Sequence, residues 1–216
     1  MWQLILRLLG LESKSGQAPS LSNLPSASKT KSVKEPKNEE KKETKSPLDK
    51  LVAIAKSQVG VKEVGGNNRG AKIQEYQSST NLKPAPWPWC AAFTGWVIEQ
   101  WLKDESVVKW LNLKNTTPAQ WRPRTAAAFG YIQWAKSRPK TTQILSPRAK
   151  PQVGDFAVFD FSHIGVIVGV KPDGFQCVEG NTNQRGTRES DSGDGVWLKN
   201  RKPSLVRNYI RIIPSK

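Results

Sequence analysis

The sequence predicts an α+β fold in which N-terminal helices pack on a C-terminal antiparallel sheet. Apolar residues recur at helical spacing between residues 48 and 136, whereas short runs of β-branched and aromatic residues follow Pro139. Pro172-Asp173-Gly174 separates two of those runs, and this combination is typical of a hairpin turn. Because the helices precede the strands instead of alternating with them, the order favours an antiparallel sheet.

The first predicted helix has a clear start and a clear end. Ser46-Pro47 combines a helix-capping residue with a first-turn proline, and the apolar positions that follow stop at Gly60. A second short helix is predicted with Ile73 and Tyr76 facing inward. These helices open a domain that we predict to span residues 47–216.

Two longer helices are predicted next, from Cys90 to about Leu102 and from Thr125 to about Lys136. The stretch between them, residues 104–124, is predicted to be irregular, with Trp110 and Trp121 as packing anchors. Five strands are predicted beyond Pro139, at residues 154–159, 163–170, 175–179, 195–198 and 208–213.

The chain before residue 47 differs in composition from the rest. Residues 1–12 are rich in large apolar groups, but they are too short to span a bilayer, and Arg7 makes them a poor signal peptide. Four apolar residues would share one face of a helix: Leu4, Ile5, Leu8 and Leu11. We predict a short amphipathic docking segment here, with a disordered terminus as the alternative. Residues 13–46, rich in Ser, Lys, Pro and Glu, are predicted to form a linker.

The charge of the chain restricts its partners. The net charge is +16, and residues 48–216 alone carry +12, from 25 Lys and Arg residues against 13 Asp and Glu. Such a surface favours polyanions: nucleic acid, anionic lipid head groups or the anionic polymers of a bacterial envelope. No helix-turn-helix, zinc-finger or RNA-recognition signature is present, so we predict no specific nucleic-acid partner.

Cysteine and histidine are rare in this chain, which has two cysteines and one histidine. Two cysteines do not make a disulfide framework, and Cys177, in an apolar strand, is predicted to be a buried hydrophobic residue. A disulfide between Cys90 and Cys177 is not expected. A single histidine and the lack of zinc-type spacing argue against a metal site, so we predict no metal and no cofactor.

Cys90 has the setting of a nucleophile. Prolines 84, 86 and 88 prevent a helix from starting much earlier, so Cys90 falls in the first helical turn. Unpaired backbone N–H groups at a helix start favour a thiolate and can also hold an oxyanion. The alternative is a core cysteine, because Phe93, Val97 and Trp101 continue its stripe along the helix.

His163 is the candidate base. It opens a predicted strand on which Gly165 and Gly169 share one face, and we expect these glycines to admit a helix against the sheet. If that is the Cys90 helix, thiol and imidazole meet, and the imidazolium would favour the thiolate. The alternative is a histidine satisfied within the core.

A third group should orient the imidazole through its other ring nitrogen. Glu179 and Asn181 are two residues apart, so in an extended strand they would face the same way, and either could accept from His163. Asn181 could instead make a turn with Gly180. The choice between the two residues stays open at the level of sequence.

These segments together resemble the CHAP family (cysteine, histidine-dependent amidohydrolases/peptidases). The resemblance covers residues 48 to about 213, and the ordered set is specific although each motif alone is weak. The segments are Glu63-Val64-Gly65-Gly66-Asn67-Asn68-Arg69-Gly70 with Tyr76, Pro88-Trp89-Cys90-Ala91-Ala92-Phe93, Gly154-Asp155, His163-Ile164-Gly165-Val166-Ile167 and Val178-Glu179-Gly180-Asn181-Thr182.

The resemblance implies a papain-like fold and cleavage of an amide or peptide bond in bacterial peptidoglycan. It implies that Cys90 is the nucleophile, His163 the base and then the acid, and Glu179 the orienting carboxylate, with Asn181 assisting. Some relatives bind calcium through an aspartate-rich loop before the cysteine; residues 81–89 contain no Asp or Glu, so no calcium is expected. Trp87 and Trp89 are candidates for stacking on sugar rings.

Three functions remain as hypotheses. The first is a cell-wall hydrolase, amidase or endopeptidase, of a phage particle such as its tail, because a docking segment and a tether precede the enzyme. It would act in the virion or at the bacterial envelope. The second is a virion structural or wall-binding protein without hydrolytic activity, and the third is another cysteine acyltransferase with the same triad.

Overall fold

Six helices and six strands make up the described part of the chain, which comprises residues 45–185 and 193–216 of the computed structural model. The strands form one antiparallel sheet, so the predicted α+β class is confirmed. None of the helices in these ranges has the length and apolar character needed to cross a bilayer. The docking segment predicted for residues 1–12 and nearly all of the predicted linker lie outside the described residues.

The helices lie in the first half of the described chain. They are α1 (Pro47–Ser57), α2 (Ala71–Gln77), α3 (Cys90–Trp101), α4 (Glu105–Leu111), α5 (Pro118–Trp121) and α6 (Gly130–Lys136). The start of α1 agrees with the prediction: the Ser46 hydroxyl accepts from the backbone N–H of Asp49, and the Asp49 carboxylate accepts from that of Ser46. Such a reciprocal cap stabilises a helix by about 1 kcal/mol.

The strands follow the helices, and β2 to β5 pair with one another in the order in which they occur along the chain. They are β1 (Thr142–Leu145), β2 (Phe156–Phe159), β3 (Ile164–Lys171), β4 (Gly174–Thr182), β5 (Gly195–Arg201) and β6 (Val206–Ile212). In space the order is β1-β6-β2-β3-β4-β5, because β6 returns to pair with both β1 and β2. The predicted hairpin is present, since Lys171 of β3 pairs with Gly174 of β4.

Both faces of the sheet are covered, which explains why β2 is buried along its whole length. The larger core lies between the helices and one face, with α3 at its centre, packed on β3, β4, α1 and α2. A smaller cluster covers the other face and includes Phe159, Phe175, Cys177 and Tyr209. The candidate site lies where these two layers meet the start of α3.

Two predictions about local structure were wrong, and one strand was missed. Residues 104–124 contain two short helices, because Asp104 and Thr117 cap α4 and α5 and a short capped helix needs little periodicity. The helix expected from Thr125 begins only at Gly130, after a turn in which the Thr125 hydroxyl accepts from the N–H of Ala127. The strand β1 was not predicted; it pairs with β6 at the sheet edge.

Candidate active site

Cys90 is the first residue of α3, as predicted. Trp89 is the N-cap residue, and no side chain in the described ranges caps this end of the helix. The N–H of Phe93 bonds to the carbonyl oxygen of Trp89 at 2.9 Å. The backbone N–H groups of residues 90–92 therefore have no acceptor within the helix, and such free N–H groups at a helix start can bind an anion. The Cys90 side chain is nearly buried, with 7% of the residue exposed.

His163 immediately precedes β3 and closes the turn from β2. Its carbonyl oxygen accepts from the N–H of Phe159 at 2.8 Å, and Ser162 within the turn has a left-handed backbone. The imidazole is stacked on Phe161, with ring centroids 5.8 Å apart, and also contacts the Phe159 ring. The residue is only 8% exposed, so the backbone turn and two aromatic rings fix the position of the imidazole.

Glu179 in β4 is fully buried and faces His163. Its Oε2 lies 3.1 Å from His163 Nε2, a separation within hydrogen-bonding range. The ring N–H does not point squarely at the carboxylate, so we describe the contact as an ion pair. Because Nε2 faces Glu179, Nδ1 is the nitrogen left for Cys90.

Cys90 lies close enough to His163 to influence the pKa of its imidazole. Burial by itself would lower the pKa of His163, because a buried imidazolium is poorly solvated. The charge of Cys90 and a hydrogen bond that it accepts from His163, together with Glu179, outweigh burial and raise that pKa to about 9. His163 is therefore protonated at neutral pH in this arrangement. A thiolate beside an imidazolium is the reactive form of a cysteine nucleophile.

Asn181 does not share the position of Glu179. It has a left-handed backbone (φ 54°), and the pairing of β4 with β5 shifts register between Glu179 and Thr182. The strict alternation that would have placed both side chains on one side is broken there. The Asn181 Oδ1 is buried and has no hydrogen-bond partner among the described residues. Glu179, and not Asn181, contacts His163.

Arg201 is the residue of this cluster that the sequence reading missed. Its Nε donates to Glu179 Oε1 at 2.8 Å and a terminal nitrogen donates to Oε2 at 2.5 Å. Burial alone would raise the pKa of Glu179, but the hydrogen bond from Arg201 and the interaction with His163 lower it below its ordinary value. The strand was predicted to end at Leu198; a longer strand would have placed Lys199 and Arg201 on one face of a buried strand, which was the available signal.

The two strand glycines do not have the role that was expected of them. A Cβ at Gly165 would lie 2.5 Å from Glu179 Cγ, so this glycine makes room for the carboxylate and not for a helix. The helix α3 instead approaches the sheet at Gly180, where a Cβ would lie 2.6 Å from the Cβ of Phe93. The expectation about Gly165 and Gly169 was wrong because the cross-strand neighbour, not a helix, fills that face.

The two tryptophans before the nucleophile differ in exposure. Trp89 is fully buried, is stacked with Tyr76 and donates its indole N–H to Glu63 Oε1 at 2.8 Å. Its rings are unavailable to a sugar, so the predicted stacking role of Trp89 is wrong. Trp87 is half-buried and donates to the carbonyl oxygen of Lys83, so part of its surface stays open for a substrate.

Cys90 and Cys177 are both free thiols. Cys177 is completely buried in the smaller cluster, beside Glu179 on the same side of β4, and burial raises its pKa well above the ordinary value. This thiol is therefore an unreactive hydrophobic group, and Cys90 is the candidate nucleophile of the described chain.

Other features of the described residues offer no competing centre. No group of three or more His, Cys, Asp or Glu residues in these ranges is placed to hold a metal ion. A cleft of about 800 Å³ lies between residues 112–116, 137–141 and 213–216, and none of Cys90, His163 and Glu179 lines it. The start of α3 is where a thiol, an imidazole and a carboxylate lie near one another. Compared with known proteins, the chain matches no protein-family model and no curated protein.

Proposed function

We propose that this protein is a cysteine-dependent peptidoglycan hydrolase with a papain-like fold of the CHAP type. The observation that carries the proposal is the order Cys90, His163, Glu179 at the start of a buried helix, with Nε2 of the imidazole 3.1 Å from the carboxylate. This is the arrangement by which a cysteine enzyme attacks a carbonyl carbon. The resemblance of the ordered motifs to the CHAP family is the basis for proposing peptidoglycan as the substrate.

The reaction would proceed in two steps. The Cys90 thiolate forms a C–S bond with the scissile carbonyl carbon, and N–H groups at the start of α3 hold the resulting oxyanion. The C–N bond then breaks as His163 gives its proton to the leaving amine. Water next attacks the thioester, His163 takes a proton from it, and the C–S bond breaks to release the acid.

Glu179 supports both steps through His163. An ionised carboxylate at Nε2 stabilises the imidazolium that exists before attack and re-forms during hydrolysis. Asn181 is adjacent on β4, and its buried amide oxygen has no hydrogen-bond partner among the described residues. Trp87 is the remaining candidate for contact with the glycan.

The charge of the domain favours an anionic polymer such as the bacterial wall. We further propose that residues 1–12 dock the enzyme on another protein of an assembly such as a phage tail, with residues 13–46 as the tether. In that setting the protein is a virion-associated lysin that acts at the bacterial envelope. The amphipathic pattern of the first residues and the composition of the tether support this context.

Digestion of purified peptidoglycan tests the proposal directly. Wild-type protein should release soluble fragments, and mass spectrometry of the products would distinguish an amidase from an endopeptidase. Cys90→Ala should release none, whereas the control Glu75→Ala, whose side chain contacts Lys72 and Trp96, should digest like wild type. Digestion by Cys90→Ala would contradict the assignment of the nucleophile.

Two alternative functions give different results in the same assay. A wall-binding or structural protein would sediment with peptidoglycan but release nothing in any variant. A cysteine acyltransferase would join an added amine to the acyl fragment instead of releasing the free acid, because the same thioester would react with the amine.

A further inference from the structure

Arg201 and His163 share one carboxylate. The guanidinium contacts both oxygens of Glu179, and the oxygen that accepts from its terminal nitrogen, Oε2, is also the one 3.1 Å from His163 Nε2. The side chains of Arg201 and Glu179 are 1% and 0% exposed. An isolated buried carboxylate tends to become neutral, so its charge state depends on these two neighbours.

The strands dictate this contact. Arg201 of β5 lies opposite Phe175 of β4, and Glu179 lies opposite Trp197. Residues 175 and 179 share one face of β4 because side chains alternate, so the Arg201 side chain runs diagonally along that face to reach the carboxylate. Arginine has the length and the forked donors for a two-point contact, which lysine lacks.

The same aromatic rings cover both cations. The Arg201 guanidinium lies over Phe159 and Phe161, at 5.2 and 5.6 Å from their centroids, and these two rings also contact the imidazole of His163. The rings keep water away from Glu179 on this side, and exclusion of water strengthens the electrostatic coupling among the three groups.

We propose that Arg201 is a positioning residue that holds the Glu179 carboxylate in the charge state and orientation that His163 requires. The inference rests on the proposed function for its catalytic meaning, but the contacts themselves do not depend on the substrate. A hydrogen bond from Arg201 is the largest single influence that lowers the pKa of Glu179 against the effect of burial.

A second ion pair in the chain provides a matched control. Arg211 contacts Asp155 with the same two-point geometry, at 2.8 Å for both nitrogens, and Asp155 is likewise buried. Neither residue contacts His163 or Glu179 in the contacts described for them. Loss of this pair should cost stability as loss of the Arg201 pair does, without changing the charge of Glu179.

The test is an NMR titration of His163 in the full, untagged chain. Because the chain has a single histidine, its imidazole signals need no assignment. We expect Glu179→Gln to lower the pH at which His163 titrates by about one unit or more, and Arg201→Gln to lower it similarly. In Arg201→Lys the pH at which His163 titrates should lie between the values for Arg201→Gln and wild type. In Arg211→Gln it should equal the wild-type value.

The direction in which the titration of His163 moves in Arg201→Gln tests the proposal. If Glu179 keeps its charge without Arg201, removal of a neighbouring cation would raise the pH at which His163 titrates, and a rise or no change would overturn the proposal. Should Arg201→Gln fail to fold, Arg201→Lys and the double variant Glu179→Gln/Arg201→Gln, which leaves no lone buried charge, still test it. The double variant should titrate like Glu179→Gln, and a further shift would contradict action through Glu179.

This readout separates the inference from the proposed function. If His163 titrates at lower pH in Arg201→Gln and wild type does not digest peptidoglycan, the inference is upheld and the hydrolase is refuted. Digestion by wild type, together with an unchanged titration of His163 in Arg201→Gln, would support the hydrolase and refute the inference about Arg201. If the hydrolase is confirmed, kcat of Arg201→Gln should fall by about tenfold with KM little changed, because Arg201 does not touch substrate.

Discussion

Gly165 lies directly against Glu179. A Cβ atom at position 165 would come within 2.5 Å of Glu179 Cγ and within 2.6 Å of Cys177 Sγ. No L-residue with a side chain fits there unless β4 or the carboxylate moves. The strand β3, which starts just after His163, therefore uses the glycine at position 165 to admit the group that faces the imidazole.

We expect Gly165→Ala to reduce kcat by about tenfold or more, because a small displacement of a catalytic group has large kinetic effects. Overpacking should also lower the free energy of unfolding by about 1–3 kcal/mol. Gly169→Ala on the same strand is the control: its Cβ would meet only the side chain of Gln176, whose flexible terminal Oε1 is the nearest atom at 3.1 Å. Peptidoglycan digestion and thermal unfolding of both variants check this. Equal activity of the two variants would show that the fit at Gly165 is not critical.

The pH dependence of activity should reveal His163. Its pKa is raised from 6.5 to about 9 by Cys90 and Glu179 against the effect of burial, so the imidazolium is present below that pH and lost above it. Because the leaving amine takes its proton from this group, kcat/KM should fall as the pH rises through about 9. In Glu179→Gln the imidazolium is less stabilised, and the fall should move to lower pH by roughly one unit. An unchanged profile in Glu179→Gln would exclude coupling between the two residues.

The predictable part of this fold is the part that follows local rules. The Ser46 cap, the start of α3 at Cys90 and the hairpin after Lys171 each depend on a few adjacent residues, and the structure confirms them. The strand β1 is stabilised by distant pairing with β6, which no local pattern encodes. Strand ends are set in the same way, which is why β5 extends to Arg201.

The site shows the same division. Cys90 and His163 stand out in the sequence because their residue types are rare and their local settings are distinctive. Arg201 reaches Glu179 across a strand pair, and Glu63 reaches Trp89 across 26 positions of the chain, so both contacts depend on the tertiary fold. The stacking role given to Trp89 failed because burial of an aromatic side chain is also a tertiary property.

Trp87 should contribute to substrate binding and not to the chemical step. It is half-buried beside the nucleophile loop, and loss of an aromatic stacking contact costs about 0.5–1.5 kcal/mol. We therefore expect Trp87→Ala to raise KM for intact peptidoglycan severalfold with kcat nearly unchanged. The same variant should show little change on a stem-peptide fragment without glycan. A fall in kcat on both substrates would indicate a structural role for Trp87.

Glu63 should act on the nucleophile side of the site. Its two oxygens accept from the indole N–H of Trp89 and from the backbone N–H of Asn68, both at 2.8 Å, so it ties a loop to the residue that caps α3 just before Cys90. Glu63→Ala should lower the free energy of unfolding by about 1–3 kcal/mol and kcat by about tenfold. The titration of His163 should change less than in Arg201→Gln, because Glu63 holds the helix start and does not contact the imidazole.

Glu75 gives the matched control for Glu63. It accepts from the indole N–H of Trp96, also at 2.8 Å. Trp96 lies on α3 like Cys90, but six residues further along the helix. Glu75→Ala removes the same type of contact without loosening the start of α3, so it should retain wild-type kcat. If both variants lose activity in proportion to their loss of stability, Glu63 supports the fold in general. If only Glu63→Ala loses activity, the position of the helix start is what the reaction requires.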